Sequence, residues 1–137
     1  MPEISSELKQ AYQESLFTID GSDTINLKTH SKDCIKFLDK HNANSAVIIT
    51  AYNPYSQAEC DITNEIANMH LKNDLLNNGY NAVGSVNTGK DGCWPEKSWM
   101  VLDFKRSEIQ KYLNKYKQNA CLLITESGPE LIYLDKL

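Results

Sequence analysis

At 137 residues the chain has the length of one domain, 1–137, able to bury a hydrophobic core without staples. Its composition, 41% hydrophobic and 23% charged, is that of a globular protein; no run approaches the ~18 consecutive apolar residues of a membrane span, and MPEISSELKQ lacks the apolar core of a secretory signal. A net charge of −4 argues against non-specific nucleic-acid binding, so the expectation is a soluble, cytoplasmic protein with no membrane and no nucleic-acid partner.

In chain order, residues 3–15 predict a helix, with Ile4, Leu8, Ala11, Tyr12 and Leu16 close to one stripe. LFTID (16–20) reads as a strand stopped by the turn Asp20-Gly21-Ser22-Asp23, and INLKTH (25–30) extends or pairs with it. SKDCIKFLDKHN (31–42) predicts a helix capped by Ser31 and burying Cys34, Ile35 and Leu38. SAVIITAY (45–52) is a strand continuous enough to be covered on both faces.

Ser56-Gln57-Ala58-Glu59 has the form of a capping box opening a helix over 57–77, which stops where Gly79 can take a left-handed conformation. In that helix Ile62, Ile66, Met69 and Leu76 share one side, and Asn64, Asn68, Leu71 and Leu75 nearly the opposite one. Cover on both sides is therefore expected. Buried amides at 64 and 68 need partners, either the backbone of the TAYNPYS loop (50–56) or a ligand.

A strand over 79–87, a loop over 88–97 and a strand over 98–104 follow, then a helix over 108–117 capped by Ser107. NACLLIT (119–125) and ELIYLD (130–135) form a closing hairpin. The fold class is α+β: a mostly antiparallel single-layer sheet with helices, in ferredoxin-like split βαβ order from residue 46, preceded by an extra helix and strand segment. The four cysteines have neither Cys-x-x-Cys nor zinc-like spacing and read as reduced thiols, with Cys121 a core filler. The basic stretch 105–117 reads as a solvated helix face.

Chemistry-bearing residues concentrate in three places. TAYNPYS brings Tyr52, Asn53, Pro54 and Ser56 to the end of the most apolar strand. GKDGCWPEKS (89–98) places Trp94 and Glu96 before Ser98, and Gln118-Asn119 enters the strand ACLLIT. TAYNP, Asn64 with Asn68, the G-x-x-x-x-W-P-E-x-S loop and Gln118-Asn119-Ala120 together resemble a widespread bacterial family, domain of unknown function 3293. The resemblance covers roughly residues 45–125. It implies a shared site set at Tyr52, Asn53, Pro54, Ser56, Asn64, Asn68, Trp94, Glu96, Ser98, Gln118 and Asn119, and no reaction. Cys93 stands where that loop tolerates variety.

Amides, hydroxyls, two rings and one carboxylate suit a small polar ligand or a partner segment, read by neutral hydrogen bonds and stacking. That makes a binding or regulatory module the first reading. An enzyme with Glu96 as general acid/base, assisted by Tyr52 or Ser98, is the alternative, and no nucleophile–base pair is legible to support it. A protein-interaction or immunity-type protein is a third. Glu96 with Asp91 falls short of a metal set, and no motif calls for a cofactor.

Overall fold

The computed structural model describes residues 4–21 and 23–135. The elements are α1 (Ser6–Gln13), β1 (Leu16–Ile19), β2 (Asp23–Ile25), α2 (Ser31–Lys40), β3 (Ala46–Ile49), α3 (Asp61–Asn77), β4 (Ala82–Thr88), β5 (Glu96–Leu102), α4 (Ile109–Lys115), β6 (Ala120–Thr125) and β7 (Gly128–Tyr133). All strands join one antiparallel sheet in the order β2-β1-β4-β5-β3-β6-β7. The class is α+β, as the alternation of aliphatic runs and amphipathic stretches implied.

β3 lies inside the sheet, between β5 and β6, and all four of its residues are buried. Val47 and Ile49 face a core formed with Leu71 and Leu75 of α3 and Ile109, Tyr112 and Leu113 of α4. Ala46 and Ile48 face the opposite core, with Cys34, Phe37 and Leu38 of α2. That second core also takes Phe17 and Ile25 from one end of the sheet and Leu122 and Ile124 from the other. The sheet thus curls around α2, while α3 and α4 cover its other side. Among the described residues no helix is long and apolar enough to cross a membrane.

Several local expectations are corrected. The first helix is capped by Ser5, whose side chain accepts from the Leu8 N–H at 3.1 Å, and α1 buries none of its residues. Of the residues expected in it, 3 lies outside the described residues, as does Ser22 of the following turn. The partner of β1 is 23–25, earlier than expected, and Asn26 then closes a turn by accepting from the Lys28 N–H. α2 is capped by the His30 ring, which accepts from the Lys32 N–H at 3.1 Å; Ser31 is already helical.

The capping box at 56–59 does not form, because both of its groups are engaged elsewhere. The Ser56 hydroxyl meets Tyr12 at 2.6 Å and Asn119 at 3.2 Å, and the Glu59 N–H donates to Asn53 Oδ1 at 3.0 Å. Residues 54–56 make a 3-10 turn instead, and α3 starts at Asp61 with Cys60 at the cap position. The outer side of α3 is uncovered, with Ile62 73% exposed and Ile66, Met69 and Leu76 about half exposed. Its sequence has two apolar sides, yet the sheet is there to cover only one. Gly79 does end α3 in the left-handed region, φ 85°.

β5 begins at Glu96, two residues before the expected strand, because Glu96 pairs in register with Asn87. Ser107 sits inside a 3-10 turn rather than capping α4. In the last hairpin Thr125 pairs with Gly128, so Gly128 and Pro129 belong to β7 rather than to the turn.

Candidate functional site

The site grows from the end of β3. Thr50 continues the strand: its hydroxyl donates to the Lys97 carbonyl at 2.6 Å and accepts from the Tyr52 N–H at 3.0 Å. The chain then leaves extended geometry, and Asn53, Tyr55 and Ser56 take φ of 46°, 53° and 62°. Left-handed backbone is costly for residues with a Cβ, least so for asparagine. Three such residues in four positions persist only where surrounding contacts fix them.

Those contacts come from the asparagines of α3 and from Gln118. Asn68 Oδ1 accepts from the Ala51 N–H at 3.1 Å, and Asn64 Oδ1 from the Asn53 N–H at 2.8 Å. Asn64 Nδ2 donates to Asn53 Oδ1 at 2.8 Å. Gln118 Nε2 donates to the Tyr52 and Tyr116 carbonyls at 3.0 and 3.1 Å, and the Tyr55 N–H donates to the Lys117 carbonyl. The segment is therefore clamped by side-chain amides on one side and by the chain entering β6 on the other. Asn64 and Asn68 are both 3% exposed, and their oxygens serve the backbone, which is how a buried amide avoids the cost of a missing partner.

One group projects from this clamp into open space. Asn53 Nδ2 donates at 2.7 Å to Oε2 of Glu96, the half-buried first residue of β5. Burial pushes the Glu96 carboxyl above its ordinary range, and the Asn53 bond offsets this only in part. Glu96, Asn53, Tyr12, Ser15, Ser56 and Asn87 line two adjoining hollows. The inner one, about 70 Å³, is completed by residues including Thr50, Tyr52, Gln118 and Cys121. The outer one, about 520 Å³, opens between α1 and the 89–95 loop, with Glu14, Lys90, Asp91, Cys93 and Trp94 around it.

Tyr12 is the wall that sequence reasoning missed. Its hydroxyl lies 2.6 Å from Ser56 Oγ, which also accepts from Asn119 Nδ2 at 3.2 Å. Burial raises its pKa, against the lowering effect of those Ser56 and Asn119 contacts, and the nearby Glu96 charge raises it further. Asn87 is the second omission; its Oδ1 accepts from Ser98 Oγ at 2.6 Å. Neither stands out in a linear reading, because Tyr12 looks like any residue of an amphipathic stripe and Asn87 like a strand end.

The expected residues fall into groups. Asn53, Ser56 and Glu96 line both hollows, Tyr52 and Gln118 the inner one, and Trp94 the rim of the outer one. Trp94 is 82% exposed. Asn64, Asn68 and Asn119 stand behind the lining as supports, and Pro54 opens the 3-10 turn. Ser98 is buried against Ser85 and Asn87. The Tyr52 hydroxyl points away, donating to Glu65 at 2.8 Å, and burial followed by that contact pushes its pKa to about 12. Cys121 is held at about 12 by burial, an inert thiol on the inner wall. All four cysteines are unpaired. Among the described residues no three His, Cys, Asp or Glu side chains come together as a cation-binding set.

Fold and site define a small α+β domain with a two-chambered cleft, polar groups set in a largely apolar lining, at the exit of an interior strand. The chain belongs to the family described as protein of unknown function (DUF3293), whose match spans residues 49–121. That span carries the clamp, α3, the β4–β5 hairpin and Glu96, and leaves α1 with Tyr12 outside it. Comparison with curated proteins and with solved structures gave no match.

Proposed function

We propose that this domain binds a small polar molecule in the two-chambered cleft, with Glu96 as the group that reads it. The observation that carries the reading is the Glu96 carboxylate: half-buried, pinned through Oε2 to Asn53, and facing hydroxyls and amides rather than a cation. A carboxylate taken from water without a counter-charge costs stability. A fold that keeps one in a concave polar site is trading that stability for recognition or chemistry. The strained loop and its amide clamp hold Asn53, and through it Glu96, in one geometry, as a preorganised site requires.

A thermal-shift screen of a metabolite library, run on wild type and Glu96→Gln, tests this, since a ligand of the folded state raises the melting point by mass action. The expected hit stabilises wild type, shifts Trp94 fluorescence, and loses most of its effect in the variant. Hits whose effect is indifferent to Glu96 and Trp94 would place binding elsewhere and refute the reading.

One observation favours a second reading, catalysis with Glu96 as general acid/base: its carboxyl is shifted toward neutrality by burial, as acid–base groups are. Tyr12 would then assist, because the Tyr52 hydroxyl is committed to Glu65 and Ser98 is buried with Asn87. Product formation from a screened ligand, with a pH profile lost in Glu96→Gln, would distinguish catalysis from binding alone.

A further inference from the structure

We propose that the inner chamber receives a cationic group, an ammonium or guanidinium at one end of the ligand, against Glu96. This rests on the cleft being a ligand site and adds the charge and shape of what enters it. Among the described residues Glu96 is the one carboxylate lining the inner hollow, and no Lys, Arg or His lines it. The hydrogen bond from Asn53 occupies Oε2. Among the described residues Oε1 accepts none, and neither does Gln118 Oε1, whose amide is oriented by its two donations to the Tyr52 and Tyr116 carbonyls. The Ser56 and Tyr12 hydroxyls, bonded to each other, add acceptor oxygens and keep one O–H of the pair to donate, and Phe17, Ile48 and Leu131 complete the wall. A hollow whose charged group is a carboxylate with one oxygen unengaged matches a donor-only cation and repels an anion.

Size sets the rest. A hollow of about 70 Å³ holds roughly two waters at ~30 Å³ each, room for a guanidinium or a short alkylammonium tip and too little for a ring system. The remainder of the ligand would occupy the outer hollow, along Trp94. Among the described residues the titratable groups around Glu96 are Tyr12 on α1, Glu14 just after it, Lys90, Asp91 and Cys93 in the hairpin loop, Tyr52 on the clamped segment and Cys121 on β6. Lys90 is the cation among them, and it sits 3.5 Å from Glu14, its side chain 73% exposed. It is engaged at the mouth, and the inner carboxylate is left for the ligand.

The test is an NMR titration of the isotope-labelled 137-residue chain with methylguanidinium, its neutral isostere N-methylurea, and acetate, following the side-chain amides of Asn53, Gln118 and Asn119. Methylguanidinium should move these resonances saturably. Its affinity should fall about tenfold to a hundredfold in Glu96→Gln, the range for losing a charged hydrogen-bond partner. In wild type it should also weaken, by up to about tenfold per pH unit, as acidification protonates Glu96; this arm decides the matter if the variant does not fold. Binding of N-methylurea or acetate at these amides as tightly as methylguanidinium would overturn the cationic assignment and leave the cleft standing as a ligand site. Silence of all three amides toward every probe would remove both.

Discussion

Replacing Asn53 probes the clamp most directly. The side chain makes three contacts: to Glu96 Oε2 at 2.7 Å, and from the Glu59 N–H and Asn64 Nδ2 at 3.0 and 2.8 Å. Asn53→Ala removes all three and leaves Nδ2 of Asn64, a residue 3% exposed, with only the 3.3 Å contact to the Glu59 carbonyl. A buried group short of a partner costs about 1–3 kcal/mol. Alanine must also hold φ at 46°, which costs about 1 kcal/mol more than asparagine or glycine does. The expected loss for Asn53→Ala is therefore about 2–4 kcal/mol, and for Asn53→Gly about 1 kcal/mol less. Urea unfolding at fixed pH measures this as a drop in midpoint at unchanged slope. Equal losses for alanine and glycine would refute the backbone part of the reasoning. An alanine variant within about 0.5 kcal/mol of wild type would refute the hydrogen-bond part.

Glu96→Gln should unfold at higher urea than wild type at pH 7, with the gap closing as pH falls. Burial raises the folded-state pKa above its unfolded value. The wild type therefore loses stability as pH rises through that window and has none to regain below the ordinary glutamate value of about 4.3; a gap independent of pH would contradict this. Tyr12→Ala should release α1, which buries no residue of its own, so hydrogen exchange at 6–13 accelerates while protection of β3 is unchanged. Uniform loss of protection would instead show α1 to be part of the global unit. Leu71→Ala, at a fully buried position, should cost about 2–5 kcal/mol by chemical denaturation. Ile62→Ser, at a position 73% exposed, should stay within about 0.5 kcal/mol, and similar costs would refute the assignment of the two faces of α3.

What the sequence made legible, and what it hid, follows the range of the interactions involved. β3 is readable because four consecutive aliphatics have a single consistent environment, an interior strand covered on both faces. The amides at 64 and 68 are readable because polar groups beside leucines on one helix face demand partners, and the loop backbone provides them. The 56–59 capping box failed for the complementary reason: a local motif forms only if no distant group competes, and Tyr12, Asn119 and Asn53 do. The outer face of α3 failed because hydrophobicity along a helix gives the direction of a side chain and not whether another element stands opposite. Tyr12 meets Ser56 across 44 residues, and nothing local to either one encodes that meeting.

Much of the expense of this fold falls around the cleft. Of the nine non-glycine residues with positive φ among the described residues, four are Asp20, Asn42, Asp103 and Lys117; the other five stand there, Asn53, Tyr55 and Ser56 on one side and Asp91 and Trp94 on the other. Between them stands a desolvated carboxylate, and at the mouth a tryptophan left 82% in water. Each is locally unfavourable, and a chain under selection for stability alone has a cheap remedy for each: glycine at the turns, glutamine at 96, a small polar residue at 94. The clamp from Asn64, Asn68 and Gln118 exists to hold this arrangement against its own cost. Strain and a carboxylate without a counter-charge, gathered around one concavity and braced from behind, are the pattern on which the proposed ligand site rests. The family match covers the brace and the carboxylate, but α1 and Tyr12 lie outside it.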